Sequence, residues 1–333
     1  MVTLKDVAKI AGVSTSTVSR VMSGKNVVSN SAKERVEKAV VQTGYIPNQN
    51  AQALAKKDAR CVGVVTPDLS IAFFGTLAAG VIDAAVSLGV TVDICSANSD
   101  NLSNLKAVDT LRRRGFKNII LDDVHSKESE IVELAKHIPG LVIINRFIPQ
   151  IAERCICVDN VTGGYIAASH LLSKGHRRIA FLTSSSKITD PIDRIHGAKT
   201  AMSKYGLDID DGLIFENEPT IAGGRYCVSE LLSEDKAITA IIAYNDEMAV
   251  GAMNELQDRG ISIPREFSIV GFDNLAFSNI CRPSLTTMHY PIREMAGYAL
   301  NLSLELTDGE SDLMSKSHKF VPKIIERNSV IEI

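Results

Sequence analysis

Apolar positions recur with the spacing of short helices at the start of this chain. The first apolar stripe consists of Leu4, Val7, Ala8 and Ala11. Its i, i+3, i+4 and i+7 spacing predicts a helix, and Gly12 can adopt the left-handed conformation that ends it. Ser14 is a good N-cap for a second helix. The apolar stripe of that helix consists of Val18, Val21 and Met22. Two helices joined by so tight a turn predict a helix-turn-helix.

A third helix is predicted from Ser31, with Gly44 as its stop and Pro47 just beyond. Its inward positions are Ala32, Val36, Ala39 and Val40. These three segments together predict a small helical domain at the start of the chain.

The second helix leaves short polar side chains on its outer face. They are Thr15, Ser16, Ser19 and Arg20. Short donors and acceptors let a helix lie deep in the major groove, so Thr15 and Ser16 are expected to contact bases and Arg20 a guanine or a phosphate. Residues better suited to phosphate contacts are Thr3, Ser14 and Thr17. The same pattern also fits a three-helix interaction domain with an ordinary polar surface.

The segment YIPNQNAQALAKKDAR, residues 45–60, follows this small domain. Asn48 can cap a helix that carries Ala51 and Leu54. Helices under about twelve residues are marginal in water, so this one should form only when it packs on a partner. Leu54 between alanines is suited to wedging into a minor groove and kinking the base step there. A plain linker is the alternative.

From residue 61 onward, apolar strands alternate with amphipathic helices. Predicted strands are 61–67, 91–97, 118–123, 141–146, 155–160, 178–184, 212–218, 237–244 and 267–273. Helices in the first series are predicted at 74–88, 101–114 and 127–137, with Gly89, Gly115 and Gly140 as stops. The alternation predicts an α/β fold with parallel sheets, and two such series predict two lobes.

Polar residues cluster at the ends of these strands, where parallel sheets bind ligands. They are Asn145 and Arg146, Asn245, and Asp273. Arg194, at a helix start, adds a fork of donors, and Phe73 with Phe74 offers an apolar wall for a sugar face. Each residue alone has another explanation as a helix cap, a turn or part of the core. Their recurrence at one topological position favours a cleft.

Charge is distributed unevenly along the chain. Residues 1–60 hold ten Lys or Arg against four Asp or Glu, a formal +6, while the whole chain carries −3 and the remainder therefore −9. A basic head on an acidic body suits a polyanion-binding module. With 45% hydrophobic residues, the chain has enough apolar side chains for a large core and more than one domain.

Several function classes lack their sequence signals. No apolar run reaches the eighteen or so residues of a membrane span, and MVTLKDVAKI lacks the plan of a secretory signal, so a cytoplasmic protein without a membrane partner is expected. The six cysteines contain no CxxC pair, and no metal site or cofactor is expected. There is no GxSxG, P-loop, HExxH, or GxGxxG after a strand, so no catalytic residues are assigned and no enzyme is expected.

The stretches TLKDVAKIAGVSTSTVSRVMSG and YIPNQNAQALA closely resemble the head and hinge of the LacI/GalR family of bacterial transcription regulators. The resemblance implies a headpiece that reads half of a palindromic operator, and a hinge helix that folds on DNA with Leu54 intercalated at the centre. At the base-reading positions this chain has Thr15 and Ser16, whereas some family members have a small apolar pair there. No operator sequence can therefore be inferred from the resemblance.

The resemblance continues through KGHRRIAFL, DRIHGA, YNDEMAVGAM, SIVGFDN and RPSLTT. It implies a dimeric core like a periplasmic sugar-binding protein. The positions that match the family's effector contacts are Asn145, Arg194, Asn245 and Asp273, with Phe73, Phe74 and Tyr290 as walls. Residues 141–160 and the MHYPI segment look most like the galactose-responsive branch of the family, which implies galactose or a related hexose as effector.

The resulting hypothesis is a sugar-controlled transcriptional repressor of sugar-utilisation genes, acting as a homodimer because the chain shows no leucine heptads after residue 321. The expected parts are a headpiece at 1–46, a hinge helix at 47–58, and a core at 59–333 with an N-lobe of about 59–160 and 290–320 and a C-lobe of about 161–289 and 321–333. Alternatives are a family member with another effector (another sugar, a nucleoside or a purine co-repressor), or a sugar-binding protein without DNA function. Inducer and co-repressor roles both stay open.

Overall fold

The computed structural model describes residues 2–22, 28–45, 61–97, 104–233, 237–309 and 318–333. The chain divides into two compact units, Met1–Arg60 and Cys61–Ile333. No helix in the described ranges has the length and apolar composition that a membrane crossing requires.

The first unit contains the three predicted helices: α1 at Leu4–Ala11, α2 at Thr15–Met22 and α3 at Asn30–Thr43. Gly12 and Gly44 end α1 and α3 in the left-handed conformation, at φ 61° and 60°, as predicted. The third helix begins one residue before the predicted Ser31, because the Ser29 hydroxyl accepts the Ala32 N–H and caps it. The core of the unit consists of Val7, Ala8, Ala11, Val18, Val36 and Ala39.

The described residues of the second unit form two six-stranded sheets. The strands are β1 Cys61–Thr66, β2 Thr91–Ser96, β3 Asn118–Asp122, β4 Gly140–Ile144, β5 Cys155–Val158, β6 Ile179–Ser184, β7 Ile214–Asn217, β8 Ala240–Ala243, β9 Ser268–Asp273, β10 Thr286–His289, β11 His318–Phe320 and β12 Lys323–Ile325. All nine predicted strands are present. The sequence patterns did not identify β10, β11 and β12.

Helices lie between these strands. They are α4 Ala72–Leu88, α5 Asn104–Arg113, α6 Glu128–His137, α7 Asn160–Ser173, α8 Thr189–Lys204, α9 Ile221–Ser233, α10 Asp246–Asp258 and α11 Ile292–Asp308. In the part of the chain that the structure describes, three 3₁₀ turns add to them, at Pro149–Arg154, Asp211–Leu213 and Ala276–Asn279.

The strand order is β11-β5-β4-β3-β1-β2 in one sheet and β12-β10-β9-β8-β6-β7 in the other. Every pairing is parallel except β10 with β12, where Thr287 lies opposite Ile325. The first sheet and its helices form the N-lobe, and the second sheet forms the C-lobe. Strand interiors are almost fully buried, as expected for sheets covered by helices on both faces.

The chain crosses between the two sheets three times: after β5, after β10, and between β11 and β12. These crossings give each lobe a strand from the C-terminal region. They also place α11 on the N-lobe, where it packs on α4 and β4.

Gly140 differs from its predicted role as a helix stop. It is the first residue of β4, and α6 ends at His137 with an extended Ile138 after it. A Cβ at position 140 would overlap the Asn118 side chain and the Ser303 backbone. Glycine is therefore required here for the close approach of α11 to the sheet, and the prediction was wrong because a packing glycine and a stop glycine look alike in sequence.

Candidate functional site

The outer face of α2 is polar and exposed. Thr15, Ser16, Ser19 and Arg20 are all exposed, whereas Val18 between them is fully buried in the core of the first unit. This division follows the predicted helical spacing. A helix that presents short hydroxyl side chains in its first turn can approach base edges closely.

Hydroxyl groups form a small network at the start of α2. The Ser14 hydroxyl accepts the Thr17 N–H at 3.1 Å, as expected of an N-cap, and contacts the Ser16 hydroxyl at 2.7 Å and the Thr17 hydroxyl at 2.9 Å. Thr3 forms a capping box with Asp6 at the start of α1. Ser14 and Thr3 are therefore capping residues, and their exposed oxygen atoms still lie at helix N-termini, which favour anions such as phosphate.

Three residues assigned to DNA contact from the sequence lie outside the described residues. They are Asn48, Ala51 and Leu54 of the hinge segment.

In the second unit, a hydrogen-bond chain joins the two lobes. The Tyr290 hydroxyl donates to the Asn145 side-chain oxygen at 2.9 Å, and the Asn145 amide nitrogen donates to the Asp122 carboxyl. Tyr290 follows β10 of the C-lobe sheet, whereas Asn145 follows β4 and Asp122 ends β3 of the N-lobe sheet. Asn145 has a left-handed backbone, at φ 64°, which Asn tolerates better than most residues. The ends of β3 and β4 in the N-lobe sheet therefore meet the residue that follows β10 of the C-lobe sheet.

Arg194 lies on α8 with its side chain buried among aromatic rings. Its guanidinium carbon is 3.6 Å from the ring centroid of Phe272 and 4.5 Å from that of Tyr244. The Nε–H donates to the Asn160 side chain at 2.9 Å, and Nη1 donates to the Tyr244 carbonyl oxygen. These contacts fix the orientation of the guanidinium. A cation held between rings in this way gains cation–π stabilisation.

Asp273 ends β9 and is 6% exposed. Burial raises the pKa of its carboxyl well above the usual range, against the opposing effect of Arg194. Its backbone has φ 110° and that of Asn274 has φ 57°, so the strand ends in a sharp bend. The buried carboxyl of Asp246 holds this bend by accepting the Leu275 N–H at 2.8 Å. Polar residues in such strained backbone are common at ligand sites.

Aromatic rings line the same region. Phe73 packs edge-on against Phe74 with centroids 5.4 Å apart, and against Tyr290 with centroids 5.1 Å apart. Tyr290 in turn lies 6.3 Å from Phe272, the ring under Arg194. The predicted apolar wall is thus brought together with the predicted polar residues.

Two predicted effector contacts are engaged within the protein itself. Arg146 donates to the backbone carbonyl oxygens of Asp123 and Ser126, at 3.2 and 2.7 Å. Asn245 caps α10 by accepting the Met248 N–H at 2.8 Å, and its amide donates to a backbone carbonyl oxygen at 2.9 Å. In this structure both side chains support the loops around the site.

Sequence reasoning missed two carboxylates of the site. Asp122 ends β3 and is 2% exposed, and Asp190 lies four residues before Arg194 on α8. Both carboxylates could have been identified from the sequence. Asp122 stands at a predicted strand end, which is the criterion that selected Asn145, and a residue at i−4 from Arg194 lies on the same helix face.

Asp122 provides a test of this site through its protonation. Burial raises its pKa to about 8 from the ordinary 3.8, so the folded protein retains a proton that the unfolded chain releases. Stability attributable to this group therefore falls as pH rises from about 4 to 8. We expect Asp122→Asn, which cannot ionise, to have a free energy of unfolding about 2 kcal/mol higher than the wild type at pH 8 and therefore to unfold at a higher temperature, with the advantage shrinking towards pH 5.

Differential scanning calorimetry at both pH values measures this effect. The exposed Asp208→Asn serves as control and should show no such difference. An advantage for Asp122→Asn that is equal at pH 5 and pH 8 would contradict a buried, protonated carboxyl.

Comparisons with known proteins match both units. Residues 3–48 match the bacterial regulatory proteins of the lacI family, and residues 168–330 match the periplasmic binding protein-like domain. The HTH-type transcriptional regulator GalS of Salmonella typhimurium is 39% identical, over 99% of this chain and 97% of its own. The chain belongs to the LacI/GalR family.

Other LacI/GalR-family proteins are similar to this chain in sequence and in fold. The regulator GalR of Escherichia coli is 37% identical over 99% of this chain and 96% of its own. A crystal structure of the Lac repressor bound to ONPG in the repressed state has a TM-score of 0.86 and 26% identity, and the match covers 99% of both chains. This LacI/GalR-family member is thus a DNA-binding transcriptional regulator with a helix-turn-helix and a two-lobed core, and its relatives GalS and GalR are transcriptional regulators and not enzymes.

Proposed function

We propose that this LacI/GalR-family regulator represses sugar-utilisation genes and responds to galactose or a closely related hexose bound between its lobes. The observation that carries the proposal is the meeting of strand ends from both lobes, where the Tyr290 hydroxyl bonds to Asn145. Arg194 and Asp273 lie beside this contact, because Phe272 joins Arg194 to Tyr290 and the Tyr290 N–H donates to the Asp273 carbonyl oxygen at 3.3 Å.

The residues at this position suit a sugar. Carboxylate and amide groups accept and donate hydrogen bonds to adjacent hydroxyls, while aromatic rings cover an apolar sugar face. Contact residues of the proposed site are Phe73, Phe74, Asn145, Arg194, Asp273 and Tyr290, with Arg146 and Asn245 behind them. The identity of 39% and 37% to GalS and GalR, and the likeness of residues 141–160 to the galactose-responsive branch, support galactose.

The DNA partner is a palindromic operator read by a homodimer. In this proposal Thr15 and Ser16 contact bases, Ser19 and Arg20 contact bases or phosphates, and phosphate contacts come from Thr3, Ser14 and Thr17. Exposed apolar side chains on α4, Ile82 at 41% and Val86 at 75% exposure, support an association surface on the N-lobe. The proposed parts are the headpiece 1–46, the hinge helix 47–58 and the core 59–333, in a cytoplasmic protein.

Effector and operator binding are coupled in this scheme. A sugar that contacts both lobes favours one arrangement of the lobes, and the operator favours one arrangement of the two heads. The coupling free energy is reciprocal and typically about 1–3 kcal/mol. Its sign decides whether the sugar is an inducer or a co-repressor.

Titration of the full chain with monosaccharides in a calorimeter tests the effector. We expect saturable heat with galactose or a close relative, and a shift of operator affinity at the same sugar concentration. Absence of heat with galactose, together with heat from a purine or from an unrelated sugar, would assign the effector to another branch of the family.

The hinge residue Leu54 gives a test of operator binding. We expect Leu54→Ala to weaken specific operator binding by about 10- to 100-fold and non-specific DNA binding much less. The reason is that the Leu54 side chain inserts at the central base step only in the specific complex with the operator. Fluorescence anisotropy with operator and scrambled duplexes measures both affinities. Val41→Ala, at a position 83% exposed on α3, is the matched apolar control. Equal losses on both duplexes would contradict the wedge.

A further inference from the structure

Asn160 fixes one edge of the Arg194 guanidinium. Its side-chain oxygen accepts the Nε–H at 2.9 Å, and Asn160 itself is 7% exposed. The Tyr244 carbonyl oxygen accepts the Nη1–H, and the guanidinium carbon lies 3.6 Å from the centroid of the Phe272 ring. Among the described residues, no acceptor is bonded to Nη2 of Arg194. Asn160 therefore helps to decide which edge of the guanidinium is left for a ligand.

Close helix packing brings Asn160 to Arg194. Asn160 is the first residue of α7, and Arg194 lies on α8. A Cβ at Gly164 of α7 would overlap the Arg194 carbonyl oxygen, and a Cβ at Gly197 of α8 would overlap the Val161 carbonyl oxygen. The two backbones thus touch on both sides of this contact. A short amide side chain is long enough to reach the guanidinium because the helices lie so close together.

Asp159, the residue before Asn160, lies where the chain first crosses between the lobes. Strand β5 of the N-lobe sheet ends at Val158, and α7 begins directly after Asp159. The Asp159 N–H donates to the Phe320 carbonyl oxygen at 2.7 Å, and the Asp159 carboxylate lies 3.3 Å from the Lys319 ammonium. Lys319 and Phe320 belong to β11, just before the third crossing. Two of the three crossings are therefore bonded to each other at Asp159.

Asp159 also holds the start of α7. Its carboxylate accepts the Thr162 N–H at 3.0 Å and so caps the helix. A rotation of one lobe against the other changes the backbone mainly where the chain crosses between them. Such a change at Asp159 would shift the first turn of α7, and with it Asn160 and the guanidinium that Asn160 holds.

We propose that Asn160 is a positioning residue that orients Arg194 for the effector and links it to the crossing between the lobes. This inference rests on the proposed sugar site. An arginine that is already oriented loses less conformational entropy when the sugar binds. A sugar bonded to Arg194 in turn favours one position of the crossing, and in this way Asn160 contributes to the coupling between effector and operator.

Calorimetric titration of the full chain with galactose, and operator anisotropy with and without saturating galactose, test the proposal. We expect Asn160→Ala to bind galactose about 10-fold more weakly than the wild type, with operator affinity in the absence of sugar unchanged. The change in operator affinity at saturating galactose should shrink by about 3-fold or more. Equal galactose affinity in Asn160→Ala and the wild type would overturn the proposal, and so would a full operator response of the variant at saturating galactose.

Asn328→Ala is the matched control. This asparagine belongs to the C-lobe, is exposed, and bonds to the Ser284 hydroxyl at 3.1 Å. Its loss should alter neither galactose affinity nor the operator response. Asn160→Ser, which shortens the side chain but keeps it polar, replaces the alanine variant if that variant does not fold.

Two further variants separate positioning from a purely structural role. Asn160→Asp keeps an oxygen that accepts the Nε–H, and we expect its galactose affinity to stay within about 3-fold of the wild type. Lysine has no Nε–H of this kind, so adding Asn160→Ala to Arg194→Lys should weaken galactose binding by less than about 2-fold. A 10-fold loss in Asn160→Asp, or from Asn160→Ala in the lysine background, would show that Asn160 does not act through Arg194 and would overturn the proposal.

The wild type separates this inference from the effector proposal. If galactose gives no heat but another monosaccharide does, the galactose assignment fails, and that sugar replaces galactose in every titration of the variants. A wild type that binds no sugar contradicts both proposals. A wild type that responds to a sugar, with an Asn160→Ala variant that responds equally, overturns this inference alone.

Discussion

Arg194→Ala is expected to weaken effector binding by at least about 100-fold, or about 2.7 kcal/mol, while operator affinity without sugar stays unchanged. The guanidinium offers a donor to the ligand, and it opposes the rise that burial causes in the pKa of Asp190 and of Asp273. Its removal takes away both effects at once. Operator affinity should persist because Arg194 belongs to the second unit and the DNA-reading residues to the first.

Galactose titration by calorimetry and operator binding by anisotropy, with and without sugar, measure the two quantities. Arg259→Ala is the matched control: this arginine lies on the same lobe and bonds to Glu255 and Ser229, and its loss should not alter sugar affinity. Arg194→Lys keeps the charge without the fork and covers the case in which the alanine variant does not fold. If both the lysine and the alanine variant bound galactose with unchanged affinity, Arg194 would not be an effector contact.

Gly164→Ala is expected to destabilise the second unit by about 3 kcal/mol, a large effect for one methyl group. Gly164 lies on α7 where this helix touches α8, and a Cβ there would overlap the Arg194 carbonyl oxygen. Gly197 of α8 makes the reciprocal contact with the Val161 carbonyl oxygen. Backbone atoms cannot move aside as a flexible side chain can, so the two helices must separate.

Differential scanning calorimetry of the full chain measures the loss. Gly297→Ala is the control: it is also inside a helix, but its added Cβ would meet the Ala84 Cβ at an ordinary 3.7 Å. We expect that control to be neutral or to gain about 0.5–1 kcal/mol, since alanine favours helices. Equal stability of the two variants would mean that α7 and α8 do not pack as described.

Local pattern predicted much of the fold because local physics decides those features. The apolar stripe around Val18 identified the face of α2 that packs inward. Gly12, Gly44 and Gly89 end helices in the left-handed conformation. The nine strands with strong apolar runs were all found. The short strands β10, β11 and β12 were not, because three- and four-residue strands are selected by the neighbouring strand and not by their own pattern.

The strand-end rule selected residues that the structure brings close together, but it did not show which of them are engaged within the protein itself. The rule that ligands meet strand ends found Asn145 and Asp273, which flank the junction of the lobes. It did not show that the Asn245 oxygen is used by the Met248 N–H, since capping and ligand contact need the same residue type. The raised pKa of Asp122 depends in part on Asp190 of the other lobe, and such long-range effects follow only from the tertiary fold.

The third crossing has a consequence for biosynthesis. Strands β11 and β12 are separated by two residues, and they complete the edge of the N-lobe sheet and of the C-lobe sheet, respectively. A ribosome makes the N-terminal residues first, so both sheets lack an edge strand until residues 318–325 have left the exit tunnel. The nascent core thus exposes two unpaired strand edges late in translation, and a premature stop codon before position 318 would leave both lobes incomplete and prone to aggregation.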